Sequence, residues 1–301
     1  MSWLYLGVLS GLLIGVYDLF KKGSVTGNAV FPVLLISNVT AALVWAPLVV
    51  ISGIWPERLV GTEFFVDSLS LAEHGMLFLK SAIVGSSWLF GYFAVKHLPI
   101  TIVGNFRAIG PIFTILGAFL LFAETPSLQQ GLGIALTLGF FVALSAVGRR
   151  EGIHFGSNRW IWLGFTGVLL SASSGLYDRY LLAHYGFSPA TVQAWFSIYL
   201  FLFMLPPAYG WLRGWWTRST FHWRGSIPLT GLTLIATDFF YFRALAEPDA
   251  MVSIVACLRR GSILVTFFAG TLIFKEKLFL SKLPCVLGIL VGIVLILTSG
   301  G

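Results

Sequence analysis

Long apolar stretches alternate with short polar links along the whole chain. A membrane-spanning helix needs about 20 apolar residues, and stretches of about that length occur ten times. They predict an all-α integral membrane protein with ten transmembrane helices. The predicted spans lie near residues 3–20, 29–53, 75–96, 98–122, 129–147, 160–182, 188–210, 227–246, 250–274 and 281–299.

The composition excludes a soluble protein. Of the 301 residues, 57% are hydrophobic and 10% are charged, and the mean hydropathy is +0.89, whereas soluble domains carry about 25% charged residues. The net charge of +7 does not indicate nucleic-acid binding, because most basic residues lie in short links between spans. Lysine and arginine in such links mark the cytoplasmic side. They concentrate after spans 1, 3, 5, 7 and 9, which predicts that both termini lie outside.

The second half of the chain repeats features of the first. Arg107 precedes Glu124 by 17 residues, and Arg259 precedes Glu276 by the same number. We therefore predict two five-helix repeats, residues 1–148 and 159–301, joined by a cytoplasmic linker at 149–158. Because five is an odd number, the second repeat enters the membrane with the opposite orientation. Such inverted repeats are typical of secondary transporters, with the binding site near the midplane. Other matches are Gly15-Val16-Tyr17-Asp18 with Gly175-Leu176-Tyr177-Asp178, and Tyr92-Phe93 with Tyr241-Phe242.

Three arginines lie inside predicted spans. They are Arg107 in the fourth span and the adjacent Arg259 and Arg260 in the ninth. An arginine near the bilayer centre costs about 3 kcal/mol on the insertion scale, so it usually faces the bundle interior or a wet cavity. Its planar fork of donors suits phosphate or carboxylate. The arginines predict an anionic-substrate site. The alternative is that they pair with Asp238 or backbone carbonyls and only hold helices together.

Other polar groups at membrane depth are candidate substrate-binding residues. Asp238, near the middle of the eighth span, is expected to bind a coupling proton or to pair with a ninth-span arginine. Gln193 and Asn38 carry amides that need partners inside a membrane, and Tyr241 is predicted to complete the pocket. Three buried cations and one carboxylate leave an excess of positive charge that a divalent anion would relieve. This excess favours exchange over free leak.

Two equivalent tyrosine–aspartate pairs are candidate gates. Tyr17 with Asp18 lies toward the end of span 1, and Tyr177 with Asp178 lies at the matching place in span 6. Inversion puts the pairs on opposite sides of the membrane, Asp18 inside and Asp178 outside. The alternative is that both carboxylates are solvated at helix ends beside basic residues.

The remaining reactive residue types predict no catalytic or metal site. Cys257 and Cys285 lie inside spans without a pairing pattern, and the histidines lack ligand spacing. No glycine-rich loop that would hold phosphate is present. We therefore expect no cofactor, no metal and no enzymatic activity. Glycines at four-residue spacing in span 1 predict close helix contacts, and they are Gly7, Gly11 and Gly15.

A glutamate closes spans 4 and 9, in Ala123-Glu124-Thr125 and Lys275-Glu276-Lys277, and the last span is rich in glycine over Gly288–Gly292. With ten spans in two inverted repeats, these features resemble the drug/metabolite transporter superfamily, EamA type, over essentially the whole chain. Plastid triose-phosphate translocators are similar in placing a basic residue on span 4 and a Lys-Arg pair on span 9, where they grip phosphate. Arg107 and Arg259-Arg260 occupy corresponding places. The Arg-Arg pair leaves phosphate, carboxylate and a phospholipid head group open.

The pattern and the resemblance together imply a secondary active transporter, exchanger or exporter, of a small organic anion. Phosphorylated anions are included, and the mechanism is alternating access. The alternatives are a transporter or flippase of an anionic lipid and an intramembrane enzyme acting on a lipid-linked substrate. The expected partners are the substrate and membrane lipids, without nucleic acid. We expect a monomer or homodimer in a bacterial inner membrane.

Overall fold

The computed structural model describes residues 2–97, 100–147, 159–215, 219–272 and 279–299. Regular structure within these ranges is entirely helical. The predicted linker at 149–158 and Glu276 lie outside the described residues. The α-helices are α1 Ser2–Val25, α2 Val30–Ile54, α3 Leu71–His97, α4 Ile100–Phe122, α5 Leu128–Val147, α6 Arg159–Arg179, α7 Pro189–Leu212, α8 Ser226–Ala246, α9 Val252–Leu258, α10 Ser262–Leu272 and α11 Phe279–Thr298. A 3₁₀ turn at Pro56–Arg58 follows α2, and a π turn at Tyr180–His184 continues α6.

The bundle carries an apolar outer surface. By length and composition, α1, α2, α7 and α8 can each cross a bilayer. Large apolar side chains are exposed on several helices, with Leu43 66%, Leu120 76% and Leu121 68% exposed. Exposed apolar side chains of this size on several helices suit lipid rather than water. The chain is therefore a helical, membrane-associated protein.

Helix packing runs mainly between the two halves of the chain. Helices α1, α2 and α3 of the first half correspond to α6, α7 and α8 of the second. Helix α1 packs on α8 and its counterpart α6 packs on α3, while α2 contacts α8 and its counterpart α7 contacts α3. Helix α4 also contacts α6 as α10 contacts α1. Exchanging the two halves, as the sequence matches do, converts each of these contacts into its counterpart. The contacts α2–α7, α4–α9 and α5–α11 are converted into themselves.

The ninth span differs from its prediction. The sequence predicts one continuous helix over 250–274, but α9 ends at Leu258, a 3₁₀ turn occupies Arg259–Gly261, and α10 follows. Helix α1 passes very close here, because a Cβ on Gly11 would lie 2.7 Å from the carbonyl oxygen of Leu258 and 3.0 Å from the Cα of Arg259. A 3₁₀ turn inside a helix often marks a hinge or a strained segment. Its tighter winding turns successive side chains by about 120° instead of about 100°.

Gly11→Ala tests whether this close approach is needed. We expect a loss of stability of about 1–3 kcal/mol, because the added methyl meets backbone that cannot yield without moving the helices. The measurement is thermal unfolding of the purified protein in detergent. Gly53→Ala, in α2, is the matched control, since nothing lies within 4 Å of its added methyl. Equal melting temperatures for the two variants would show that α1 tolerates displacement from the turn.

Candidate anion-binding site

The 3₁₀ turn in the ninth span presents Arg259 to α8. A guanidinium nitrogen of Arg259, Nη2, lies 3.5 Å from Oδ1 of Asp238. The guanidinium carbon lies 4.0 Å from the centroid of the Tyr241 ring. Asp238 and Tyr241 are three residues apart and therefore face the same side of α8. The structure thus brings together three residues that the sequence predicts as substrate-binding, and it forms the predicted ion pair between Asp238 and a ninth-span arginine.

Arg259 has donor capacity left over. Its distance of 3.5 Å to Asp238 exceeds the roughly 2.7–2.9 Å of a charge-assisted hydrogen bond. Its Nε is buried and has no hydrogen-bond partner among the described residues. A guanidinium carries five N–H donors, and a buried donor without a partner is costly. The side chain is nevertheless 21% exposed, so a small acceptor can approach it.

A second ion pair lies deeper, between Lys80 of α3 and Asp178 of α6. The Lys80 ammonium also sits 4.2 Å from the ring centroid of Phe196 and 4.8 Å from that of Phe242. Lys80 is only 1% exposed, so it belongs to the core and not to a loop. Sequence analysis did not include Lys80 among the site residues. The available signal was a lysine well inside the apolar stretch 75–96, far from Lys96 at its end.

The two ion pairs form one group of charges, which we call the ionic cluster: Lys80, Asp178, Asp238 and Arg259. Tyr241 links the two pairs: Arg259 lies over its ring, and its hydroxyl lies 3.4 Å from the place of a Cβ on Gly175 of α6, three residues before Asp178. Two cations balance two carboxylates within this cluster. The sequence predicted an excess of positive charge because it counted one carboxylate against three arginines. Lys80 and Asp178 add one charge of each sign, so the cluster is neutral because it leaves out Arg260, which faces Phe141, and Arg107, whose side chain lies outside the described residues.

The two adjacent arginines point to different neighbours. Arg259 faces Asp238, whereas the guanidinium carbon of Arg260 lies 5.6 Å from the ring centroid of Phe141 in α5. Arg260 also donates from Nε to the carbonyl of Ala256 at 3.4 Å. The divergence follows from the wide angle between successive side chains in the turn. Arg107 is part of α4, and its side chain lies outside the described residues.

The two amide side chains predicted for the pocket are buried, and each donates a hydrogen bond to a group of its own helix. Asn38 is 2% exposed and donates to the carbonyl of Leu34 at 2.8 Å. Gln193 is 1% exposed and donates to the Ser197 hydroxyl at 3.4 Å, while its Oε1 has no hydrogen-bond partner in the described part of the chain. Their role in binding stays a prediction.

The predicted gate residues differ in their surroundings. Asp178 is 4% exposed, so the alternative that water solvates it at a helix end is wrong. Tyr177 donates to the carbonyl of Met76 in α3 at 3.3 Å. Asp18 is half-buried, and Tyr17, 9% exposed, lies under the Lys21 ammonium at 5.3 Å.

The neighbour of Asp178 has a structural role. Arg179 is buried and donates to the carbonyls of Leu245, Glu247 and Pro248 at 2.6, 2.8 and 2.8 Å. These carbonyls lie at and just beyond the end of α8, where a helix lacks intrahelical partners. Asp178 therefore links α6 to α3, and Arg179 links α6 to the end of α8.

A glutamate fixes the start of the half-helix that leads to Arg259. Glu124, 9% exposed, accepts hydrogen bonds from the backbone N–H groups of Val252 at 2.7 Å and Ser253 at 3.1 Å. It also accepts from the Ser253 hydroxyl. Ala123 just before it adopts a left-handed backbone, with φ of 50°, and so ends α4. Glu124 thus supplies acceptors to N–H groups that a helix start leaves unpaired.

Within the described ranges, no three histidine, cysteine, aspartate or glutamate side chains are placed to hold a metal ion. No family model matches the sequence, and no curated protein matches it. The fold is similar to that of a protein of known crystal structure, with a TM-score of 0.66 and 16% sequence identity. The match covers 98% of this chain and 96% of that chain. At this identity the similarity concerns the fold alone.

Proposed function

We propose that this chain is a secondary active transporter of a small organic anion, phosphorylated anions included. It is proposed as an EamA-type member of the drug/metabolite transporter superfamily. The observation that carries the proposal is the Arg259 side chain. It lies at a break in a membrane helix, with an unsatisfied buried Nε and a long, partly exposed contact to Asp238. A multidentate anion would satisfy these donors.

The helix packing supports two inverted repeats. The contacts α1–α8 and α3–α6 are related by exchange of the halves 1–148 and 159–301. We propose that a two-fold axis in the membrane plane relates two five-span units, as in transporters with inverted repeats. The exchange of contacts is compatible with this axis, and the basic residues of the links support the proposed cytoplasmic linker at 149–158 and both termini outside. The proposed location is a bacterial inner membrane.

Alternating access requires a site that the empty carrier can close. In the ionic cluster Asp238 takes the place of the anion, because it is the carboxylate that pairs with the Arg259 guanidinium. Arrival of an anion exchanges one negative partner of Arg259 for another. The cluster is neutral when empty, so the empty carrier has no large charge penalty to overcome at this site. An anion that binds the inward and outward states with different affinities would then shift the population between them.

A thermal-shift screen of the purified protein tests the proposal. The ligands are inorganic phosphate, glycerol 3-phosphate, succinate, UDP-glucose and, in nanodiscs, phosphatidic acid. We expect a soluble anion to raise the melting temperature, because a ligand that binds only the folded state stabilises it. Counterflow of the same anion into proteoliposomes then establishes transport. Stabilisation by phosphatidic acid alone would favour the lipid alternative, and no stabilisation by any anion would contradict the proposal.

A further inference from the structure

We propose that Lys80 is a positioning residue that keeps Asp178 away from Arg259 and so leaves the Arg259 guanidinium free for the anion. The inference rests on the proposed function, because it concerns the same anion site. It adds Lys80, in the first half of the chain, to the described contacts around Arg259, Asp238 and Tyr241 in the second half.

Burial separates the roles of the two cations. The Lys80 side chain is 2% exposed and the Arg259 side chain is 21% exposed. Lys80 is enclosed by the rings of Phe196 and Phe242 and by its ion pair with Asp178. An anion entering the site therefore reaches Arg259 and does not reach Lys80. Lys80 acts on the anion only through other members of the ionic cluster.

Asp178 would compete with the anion if Lys80 were absent. A buried carboxylate that loses its partner is strongly unfavourable. Arg259 is the cation on the same side of α6, because it lies over the Tyr241 ring and the Tyr241 hydroxyl contacts α6 at Gly175, three residues before Asp178. Arg259 already holds Asp238 at 3.5 Å. If Asp178 and Asp238 both pair with Arg259, they occupy its remaining donors. The anion then has to displace a second carboxylate. Lys80 prevents this by holding Asp178 on the α3 side.

The variants Lys80→Met and Lys80→Met/Asp178→Asn separate this role from a direct contact. We expect the single change to weaken binding about tenfold, because an additional charged partner occupies Arg259. Adding Asp178→Asn removes the competing charge and is expected to restore wild-type affinity. Lys22→Met, at an exposed position of α1, is the control for loss of one positive charge, with no expected change. Binding is measured by titration of inorganic phosphate and, separately, of succinate in the thermal-shift assay.

Each outcome decides the inference. Restored affinity in the double variant supports it, whereas a double variant as weak as Lys80→Met would show that Lys80 contacts the anion itself. Unchanged affinity in Lys80→Met would also overturn it. If Lys80→Met alone does not fold, the double variant decides, since positioning requires near-wild-type affinity and direct contact requires a loss. If neither anion stabilises the wild-type protein, the proposed function fails, and that result is distinct from a failure of the Lys80 role.

Discussion

Replacing Arg259 with alanine is expected to weaken anion binding by about ten- to a hundredfold. A hydrogen bond to a charged group contributes roughly 1.5–3 kcal/mol, and each 1.4 kcal/mol is about a factor of ten in affinity. Arg259 is the member of the ionic cluster whose side chain is most exposed among those in its two ion pairs. Its Nε has no partner in the described structure. The measurement is counterflow in proteoliposomes together with anion titration in the thermal-shift assay.

Two further variants test whether binding needs the planar guanidinium of Arg259 or only a positive charge near this position. Arg259→Lys keeps a cation but replaces a planar fork with a point charge, so we expect an intermediate loss. Arg260→Ala is the matched control at the adjacent position. Arg260 lies against Phe141 of α5, so its loss is expected to have the smaller effect. If Arg259→Ala folds and transports like the wild type, the arginine is structural and the anion proposal is wrong.

The sequence predicted the pairing of Asp238 with a ninth-span arginine because charges inside apolar stretches are conspicuous. Such residues are expensive in a membrane and therefore need partners. Asp238 and Arg259 lie in consecutive predicted spans with only a short link between them, which limits the possible partners. The glycine spacing in α1 was similarly informative. A Cβ on Gly15 would lie 2.5 Å from the Cβ of Val265, which agrees with the predicted close contact.

The sequence could not assign Lys80 to Asp178, because the two residues are separated by 98 positions and the pairing depends on how α3 packs on α6. Periodicity indicates which face of a helix is apolar, but the apolar stretch around Lys80 offers little contrast between faces. The divergence of Arg259 and Arg260 was predictable in kind, because successive side chains of an α-helix already point about 100° apart. The 3₁₀ winding at Arg259–Gly261 widens that angle to about 120°, and the sequence did not predict this local change.

Glu124 illustrates a residue whose position was predicted but whose role was not. From the sequence, Glu124 was predicted to lie at the end of the fourth span, where it supports the family resemblance. Its acceptors serve donors at the start of α9, 128 and 129 residues further along the chain. This role requires α4 to end beside α9, which only the packing of the two halves provides. The cap also positions the half-helix that ends at Arg259.

Replacing Glu124 with alanine is expected to lower the free energy of unfolding by about 3 kcal/mol or more. Three buried donors, from Val252 and Ser253, lose their acceptor, and each unsatisfied buried donor costs about 1–3 kcal/mol. The favourable interaction of a negative charge with the helix start is lost as well. Thermal unfolding followed by size-exclusion chromatography measures the change. Because α9 leads directly to Arg259, anion affinity is expected to fall in parallel.

Two comparisons make this expectation specific to the cap. Glu124→Gln keeps one acceptor oxygen but turns an NH₂ group toward a donor, so its stability should lie between those of the wild type and Glu124→Ala. Glu57→Ala, at an exposed position of the turn after α2, removes a glutamate that caps no helix in the described structure. It should melt like the wild type. If Glu124→Ala and Glu57→Ala melt at the same temperature, the start of α9 does not depend on Glu124, and some other group must hold the half-helix that carries Arg259.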